Sequence, residues 1–149
     1  AFCNPEMPFG KIERAAKIAE ADGFINEMPE KYNAPISKGG KNVSGGQRQR
    51  LCIARAVAAD AEILVFDDSF SALDYKTDKK VRENLAAEAK GVTKVVVAQR
   101  IGTIMDADLI VVLEDGKSVG QGKHAELLKN CETYREIALS QLSKEELGL

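Results

Sequence analysis

No apolar run in this 149-residue chain is long enough to cross a bilayer; the longest, around Leu109–Leu113, has the length of a strand. No signal peptide is legible, because Ala1–Gly10 holds two prolines and no basic start. A start methionine is also missing, so the sequence is expected to begin within a longer protein. Histidine is reduced to His124, which cannot build a histidine metal site alone. Cys3, Cys52 and Cys131 are odd in number, widely spaced and without a CxxC pair. Buried free thiols in a reducing compartment are the expectation. An excess of one charge is lacking too: 21 Lys and Arg face 23 Asp and Glu, for a net charge of −2. Bulk charge therefore gives no footprint for nucleic acid, and no nucleic-acid partner is expected.

What is present is an ordinary globular balance, 44% apolar and 30% charged, with length for one domain and a real core. Ala1–Gly10 reads as irregular chain. Ile12, Ala15, Ala16 and Ala19 recur with helical spacing, which predicts a helix over Lys11–Ala21 ended by Asp22-Gly23, the glycine supplying a left-handed cap. Phe24–Met28 makes one further turn, and Tyr32–Val43, with Pro35, Gly39 and Gly40, reads as a loop. Ser44 with Gln47 three residues later has capping-box spacing and opens the next helix. From Leu51 to Ala59 only Arg55 is charged, the mark of a buried helix. Ile63–Phe66 reads as a strand, followed by Asp67-Asp68 and then a helix to about Ala89, capped by Gly91. Val95-Val96-Val97-Ala98 lacks alternation and predicts a central strand buried on both faces. Leu109–Leu113 and Lys117–Gly122 flank Asp115-Gly116, a strong hairpin signal, and Ala125–Leu139 reads as one amphipathic helix. The residues from Ser140 read as frayed and charged.

The unit from Ile63 to Ala98 is strand, helix, strand, for which a right-handed parallel βαβ arrangement is expected. Ligands of such sheets bind beyond the carboxyl ends of the strands, where Asp67-Asp68 and Gln99-Arg100 stand. Two glycines at a helix start, in Ser44-Gly45-Gly46-Gln47, expose N–H groups and a partial positive charge, which makes an anion site. The same residues read equally as a capped helix after a flexible loop. Asp67 at a strand end can hold Mg²⁺; alone, it reads rather as an acidic terminus in solvent.

Taken in order, VSGGQRQR at Val43–Arg50, ILVFDD at Ile63–Asp68 and SALD at Ser71–Asp74 resemble the ATP-binding cassette family. In that resemblance Ser44, Gly45, Gly46 and Gln47 are the signature loop. Ile63–Asp67 is the Walker B strand, with Asp67 on the metal, and Ser71, Ala72, Leu73 and Asp74 form the D-loop. Ala98–Ile104 is similar to the switch segment, and Ala107–Ile110 with Gly122–Leu128 to the tail of exporters. His124, in that tail, is read as structural. The resemblance implies an α/β fold: part of a P-loop NTPase (RecA-like) parallel sheet with helices, the family's helical subdomain, and a C-terminal β-hairpin and helix. It implies a helical subdomain over residues 1–50 and the later part of the ATPase core over residues 51–149. ATP and Mg²⁺ are the implied cofactors.

Departures from the family pattern sharpen the expectation. No G-x-x-x-x-G-K-[ST] occurs, and the adenine-stacking aromatic and glutamine loop that precede the signature are also absent. The chain is therefore expected to lack the half of the domain that grips the phosphates, to leave apolar sheet faces open and to be inactive alone. The family's general base, a glutamate, is replaced by Asp68, shorter by one methylene or about 1.5 Å, and displacement near 1 Å costs roughly a hundredfold in rate. Gln99 replaces the switch histidine and cannot titrate near neutral pH. Lys38 stands where similar exporters carry a glutamate facing the membrane domain.

These features imply the degenerate subunit of a heterodimeric exporter at the cytoplasmic face of the membrane. Its signature would complete the site of a second nucleotide-binding domain, its own site would turn over slowly, and a transmembrane domain would be the other partner. Two alternatives stand beside this reading. A nucleotide-independent regulatory or interaction module would use the helical subdomain alone. A non-transport relative acting on chromosomes would need long coiled coils, and the lead-in here has no heptads.

Overall fold

The computed structural model describes Asn4 and residues 6–148. Cys3 lies outside the described residues. The chain divides into two units, residues 1–97 and 98–149, each with its own apolar core.

In the first unit, the helical spacing noted above produces α1 (Phe9–Ile18), whose Ala15, Ala16 and Ile18 are buried. The chain reverses at Glu20 (φ 54°), not at the glycine expected to cap it; Gly23 lies inside α2 (Asp22–Glu27). Glu20 holds this left-handed conformation because its neighbours compensate it. Its carbonyl accepts from Arg50 Nη1 at 2.5 Å, and its carboxylate meets Asn84 Nδ2 at 2.9 Å and Lys80 Nζ at 3.1 Å. The Arg50 guanidinium also lies 4.8 Å from the Phe24 ring centroid, a cation–π contact.

Two single 3₁₀ turns, Lys31–Asn33 and Lys38–Gly40, occupy the expected loop. The next helix, α3 (Gly45–Ala58), starts at Ser44 as its capping box predicts. It is not buried all round. Ile53 and Ala58 are buried, whereas Cys52 is exposed, against the expectation of a buried thiol. Only one side of α3 meets the core, so an apolar residue on its other side stays in solvent.

A short parallel sheet follows. Strand β1 (Ile63–Asp67) pairs with β2 (Thr93–Val97) from Ile63↔Thr93 to Asp67↔Val97, with α4 (Tyr75–Glu88) between them. Leu64 and Phe66 point into the core shared with Ile53, Leu73, Val81 and Leu85. The opposite face is open: Ile63, Val65, Val95 and Val97 are 59%, 63%, 46% and 53% exposed. β2 is thus not buried on both faces as expected, because helices cover only one side of this sheet among the described residues. The expectation of exposed apolar sheet faces is met by these four residues.

The second unit begins with α5 (Ile101–Ile104), a single turn. Strands β3 (Ile110–Glu114) and β4 (Lys117–Gly122) form the predicted hairpin. Asp115 and Gly116 both have positive φ, 49° and 75°, the requirement of a two-residue primed turn. The single helix expected over Ala125–Leu139 is two, α6 (His124–Asn130) and α7 (Glu132–Gln141), parted by extended backbone at Cys131 (φ −123°, ψ 107°). Cys131 is buried as expected, facing Gly120 of β4 so closely that a Cβ there would lie 2.8 Å from its Sγ. His124 Nδ1 and the Tyr134 hydroxyl share a 2.7 Å hydrogen bond that ties α6 to α7, which gives His124 a structural contact. Nor do the residues after Ser140 fray: Ser143 and Glu146 cap one another and Leu147 is buried.

Truncating Phe66, 2% exposed and 5.4 Å from the Phe70 ring, tests which sheet face carries the stability. Phe66→Ala is expected to lower the unfolding free energy by about 3–5 kcal/mol. Val65→Thr on the open face is expected to change it by less than about 0.5 kcal/mol, both read by urea denaturation.

Candidate nucleotide and metal site

Ser44 is the N-cap of α3. Its Oγ accepts from the Gln47 N–H at 3.2 Å, and the Gln47 Oε1 accepts from the Ser44 N–H at 2.9 Å. The Arg48 N–H already turns to the Ser44 carbonyl at 2.9 Å. The Gly45 and Gly46 N–H groups have no acceptor among the described residues, and the Ser44 hydroxyl hydrogen is still available to donate. These are the donors that a helix start offers to an anion. The approach to this turn is itself built: the Asn42 side chain accepts from the Ser37 N–H at 2.9 Å and donates to the Pro35 carbonyl at 2.9 Å. Lys38 is exposed within that loop.

The acidic pair leaves the end of β1. Asp67 is the last strand residue, and its side chain is exposed. Asp68 takes a left-handed conformation (φ 47°), which aspartate tolerates better than most residues. Its N–H donates to the Val97 carbonyl of β2 at 3.0 Å, which fixes the turn to the sheet. The Asp68 Oδ2 accepts from the Ser71 hydroxyl at 2.9 Å, so this carboxylate is tied back to its own loop. Among the described residues no three acidic, histidine or cysteine groups gather as a metal cage. One exposed carboxylate at Asp67 nonetheless fits Mg²⁺, which keeps several waters and takes phosphate oxygens for the rest of its shell.

The glycine turn and the acidic loop meet through a residue that motif reading passed over. Gln49 Nε2 donates to the Asp68 carbonyl at 3.1 Å and to Ser71 Oγ at 3.0 Å, while its Oε1 accepts from the Ala72 N–H at 2.9 Å. Gly46 packs on the same loop: a Cβ on it would lie 3.0 Å from the Ala72 carbonyl oxygen. The signal in the sequence was a second glutamine one half-turn after Gln47, and only the fold reveals its target. Leu73 is buried in the core, and Asp74 caps α4 by accepting from the Thr77 N–H at 3.0 Å and its hydroxyl at 2.7 Å.

Gln99 belongs to the second unit. It is exposed, and its carbonyl accepts from Gln141 Nε2 at 2.8 Å.

The chain as a whole is similar to known proteins in sequence and in fold. The family pattern described as "ABC transporter" matches residues 4–71. The toxin RTX-I translocation ATP-binding protein of Actinobacillus pleuropneumoniae is 46% identical over 128 residues, 86% of this chain and 18% of that protein. The alpha-hemolysin translocation ATP-binding protein HlyB of Escherichia coli is 44% identical over 133 residues, 89% of this chain and 19% of that protein. The chain therefore spans under a fifth of the length of these relatives. Among solved structures, a bacterial Atm1-family ABC exporter with ATP bound matches with a TM-score of 0.88 and 34% identity, over 92% of this chain and 24% of that one.

Two outcomes check the geometry. Gly45 would place a Cβ 3.6 Å from the Ala72 Cβ, ordinary contact, whereas Gly46 would press on backbone. Gly46→Ala is therefore expected to be less stable than Gly45→Ala by about 1–3 kcal/mol in chemical denaturation. For Asp74, the Thr77 hydroxyl and then the Thr77 N–H hold its carboxyl below the ordinary 3.8. The cap is then fully formed above that unfolded value and is lost as pH falls through the lower folded one. A carboxyl NMR titration should give a midpoint below 3.8, and Thr77→Ala should move it upward.

Proposed function

The chain belongs to the ABC transporter family, as a stretch of the exporter-type ATP-binding domain, and from that premise we propose that it serves two different nucleotide sites. The observation that carries the reading is the capped turn at Ser44–Gln47, with the Gly45 and Gly46 N–H groups unpaired, held by Gln49 to the loop bearing Asp68.

Ser44, Gly45, Gly46 and Gln47 serve an ATP bound mainly by a second nucleotide-binding domain. Their N–H groups and the Ser44 hydroxyl donate to its γ-phosphate, where phosphoryl transfer places negative charge. Ser71, Ala72, Leu73 and Asp74 form the D-loop between the two sites. Asp67 and Asp68 serve this subunit's own ATP. Asp67 holds Mg²⁺, which when bound neutralises phosphate charge. Asp68 takes the place of the general base. The one-methylene deficit and the Ser71 hydrogen bond both keep its carboxylate from reaching an attacking water. Gln99 contacts the γ-phosphate as a neutral donor. The own site is thus the slow one of a heterodimer.

Residues 1–50 act as the helical subdomain that carries the signature, and residues 51–149 as the later part of the ATPase core. The partners are a second nucleotide-binding domain and a transmembrane domain, with the chain at the cytoplasmic face of the membrane. In this reading the Lys11–Met28 region and the loop bearing Lys38 serve as the contact with the membrane helices, and the chain alone hydrolyses no ATP.

The test uses the full-length protein with its partner subunit. The Asp68→Glu, Gln99→His double variant is expected to raise phosphate release roughly ten- to hundredfold when the partner's own base has been removed. In the unaltered own-site background, Ser44→Arg is expected to depress the partner's turnover instead. An unchanged rate in the double variant, with ATP still bound, would remove the degenerate-site reading.

A further inference from the structure

We propose that Gln141 is a positioning residue that fixes the backbone of the switch segment, and with it the place from which Gln99 meets a nucleotide γ-phosphate. The inference rests on the reading of Gln99 given above.

Gln141 is the last residue of α7 and takes no part in any motif. Its Nε2 donates to the Gln99 carbonyl at 2.8 Å, and its Oε1 accepts from the Ile101 N–H at 2.9 Å. One planar amide thus satisfies an acceptor and a donor two residues apart, on both sides of Arg100. A primary amide carries both polarities on one rigid head and keeps them at every ordinary pH. Glutamate lacks the donor and lysine the acceptor.

The clamp is anchored at both ends. Ile101 is 2% exposed and lies in the same apolar cluster as Tyr134 and Ala138 of α7 and Leu147 beyond it. The mutual capping of Ser143 and Glu146 fixes the turn after Gln141. The base of the amide therefore cannot drift relative to Ile101 without disturbing that core. What remains free is the Gln99 side chain, which projects into solvent from a backbone held at its own carbonyl. A contact that must find one phosphate oxygen gains from such a fixed base, since misplacement near 1 Å costs heavily.

The test uses the full-length protein with its partner subunit, photolabelled on this subunit with 8-azido-ATP and displaced by AMP-PNP or by ADP. ADP lacks the γ-phosphate, so the AMP-PNP preference isolates the switch contact from general loss of structure. Gln141→Ala and the isosteric Gln141→Glu are expected to cut that preference roughly three- to tenfold, the scale of one or two neutral hydrogen bonds. Gln99→Ala should cut it as much, and Gln141→Ala added to Gln99→Ala should cut it no further. Amide exchange at Ile101 should accelerate in Gln141→Ala. Equal weakening of both nucleotides would make Gln141 merely structural and overturn the inference. A preference unchanged in both Gln141 variants but lowered by Gln99→Ala would overturn it and leave the Gln99 reading standing. A preference unchanged in Gln99→Ala would remove that reading and this inference together.

Discussion

The amide of Gln49 joins the first turn of α3 to the loop that follows β1, and most of what the first unit offers chemically depends on that joint. Three hydrogen bonds leave one side chain for Asp68, Ser71 and Ala72. Each alone is worth only about 1 kcal/mol net, but together they set the loop's register against the helix. Gly46 is the counterpart on the backbone side, because a Cβ there would lie 3.0 Å from the Ala72 carbonyl oxygen and press the loop back by a few tenths of an ångström. The two groups proposed to serve different nucleotides are therefore mechanically one piece. Movement of the signature turn drags the acidic loop with it, and the reverse holds too.

That joint also explains how Asp68 behaves. The turn at Asp68 is bound on three sides: its N–H to Val97, its carbonyl to Gln49, its carboxylate to the Ser71 hydroxyl. A left-handed residue directly after a strand re-aims the chain sharply, and aspartate bears that conformation at modest cost. A longer acid would project past Ser71 rather than fold back on it. The short side chain and the serine hydroxyl thus act in the same direction, keeping the charge at home. In the proposed scheme this is a local, geometric cause of a slow site.

The legible parts of the fold were those set by local chemistry. Ser44 and Gln47 announced their capping box, Asp115-Gly116 its turn, and the strand, helix, strand order its parallel pairing. What escaped depended on neighbours distant in sequence. Glu20 takes a turn that glycine should have taken because Arg50, Asn84 and Lys80 converge on it from α3 and α4. The break at Cys131 left no trace in periodicity, since Leu127, Cys131, Tyr134 and Ala138 keep helical spacing across it. The valines of β2 read as doubly buried because their own composition is apolar on both faces; only the sheet's surroundings show that one face is open. Within the candidate site, motifs gave the residues proposed to meet the nucleotide. They did not give Gln49, whose value lies wholly in three partners some twenty positions away.

Gln49 and Gln141 use one chemistry for one purpose in two separate units. Each reads a carbonyl and an N–H of an irregular segment with a neutral amide, and each segment carries a residue proposed to face phosphate. Charged clamps would do the same work less well. A lysine or carboxylate beside the acidic loop would add its own field to the nucleotide's negative charge, and would respond to pH and salt. Amides hold the backbone without adding a net charge to the potential that the anion meets. Electrostatics at these positions is then left to the helix turn at Gly45 and Gly46, to Asp67 and to the nucleotide itself. In the proposed scheme each unit, taken by itself, thus uses a neutral amide to position the segment that would face phosphate.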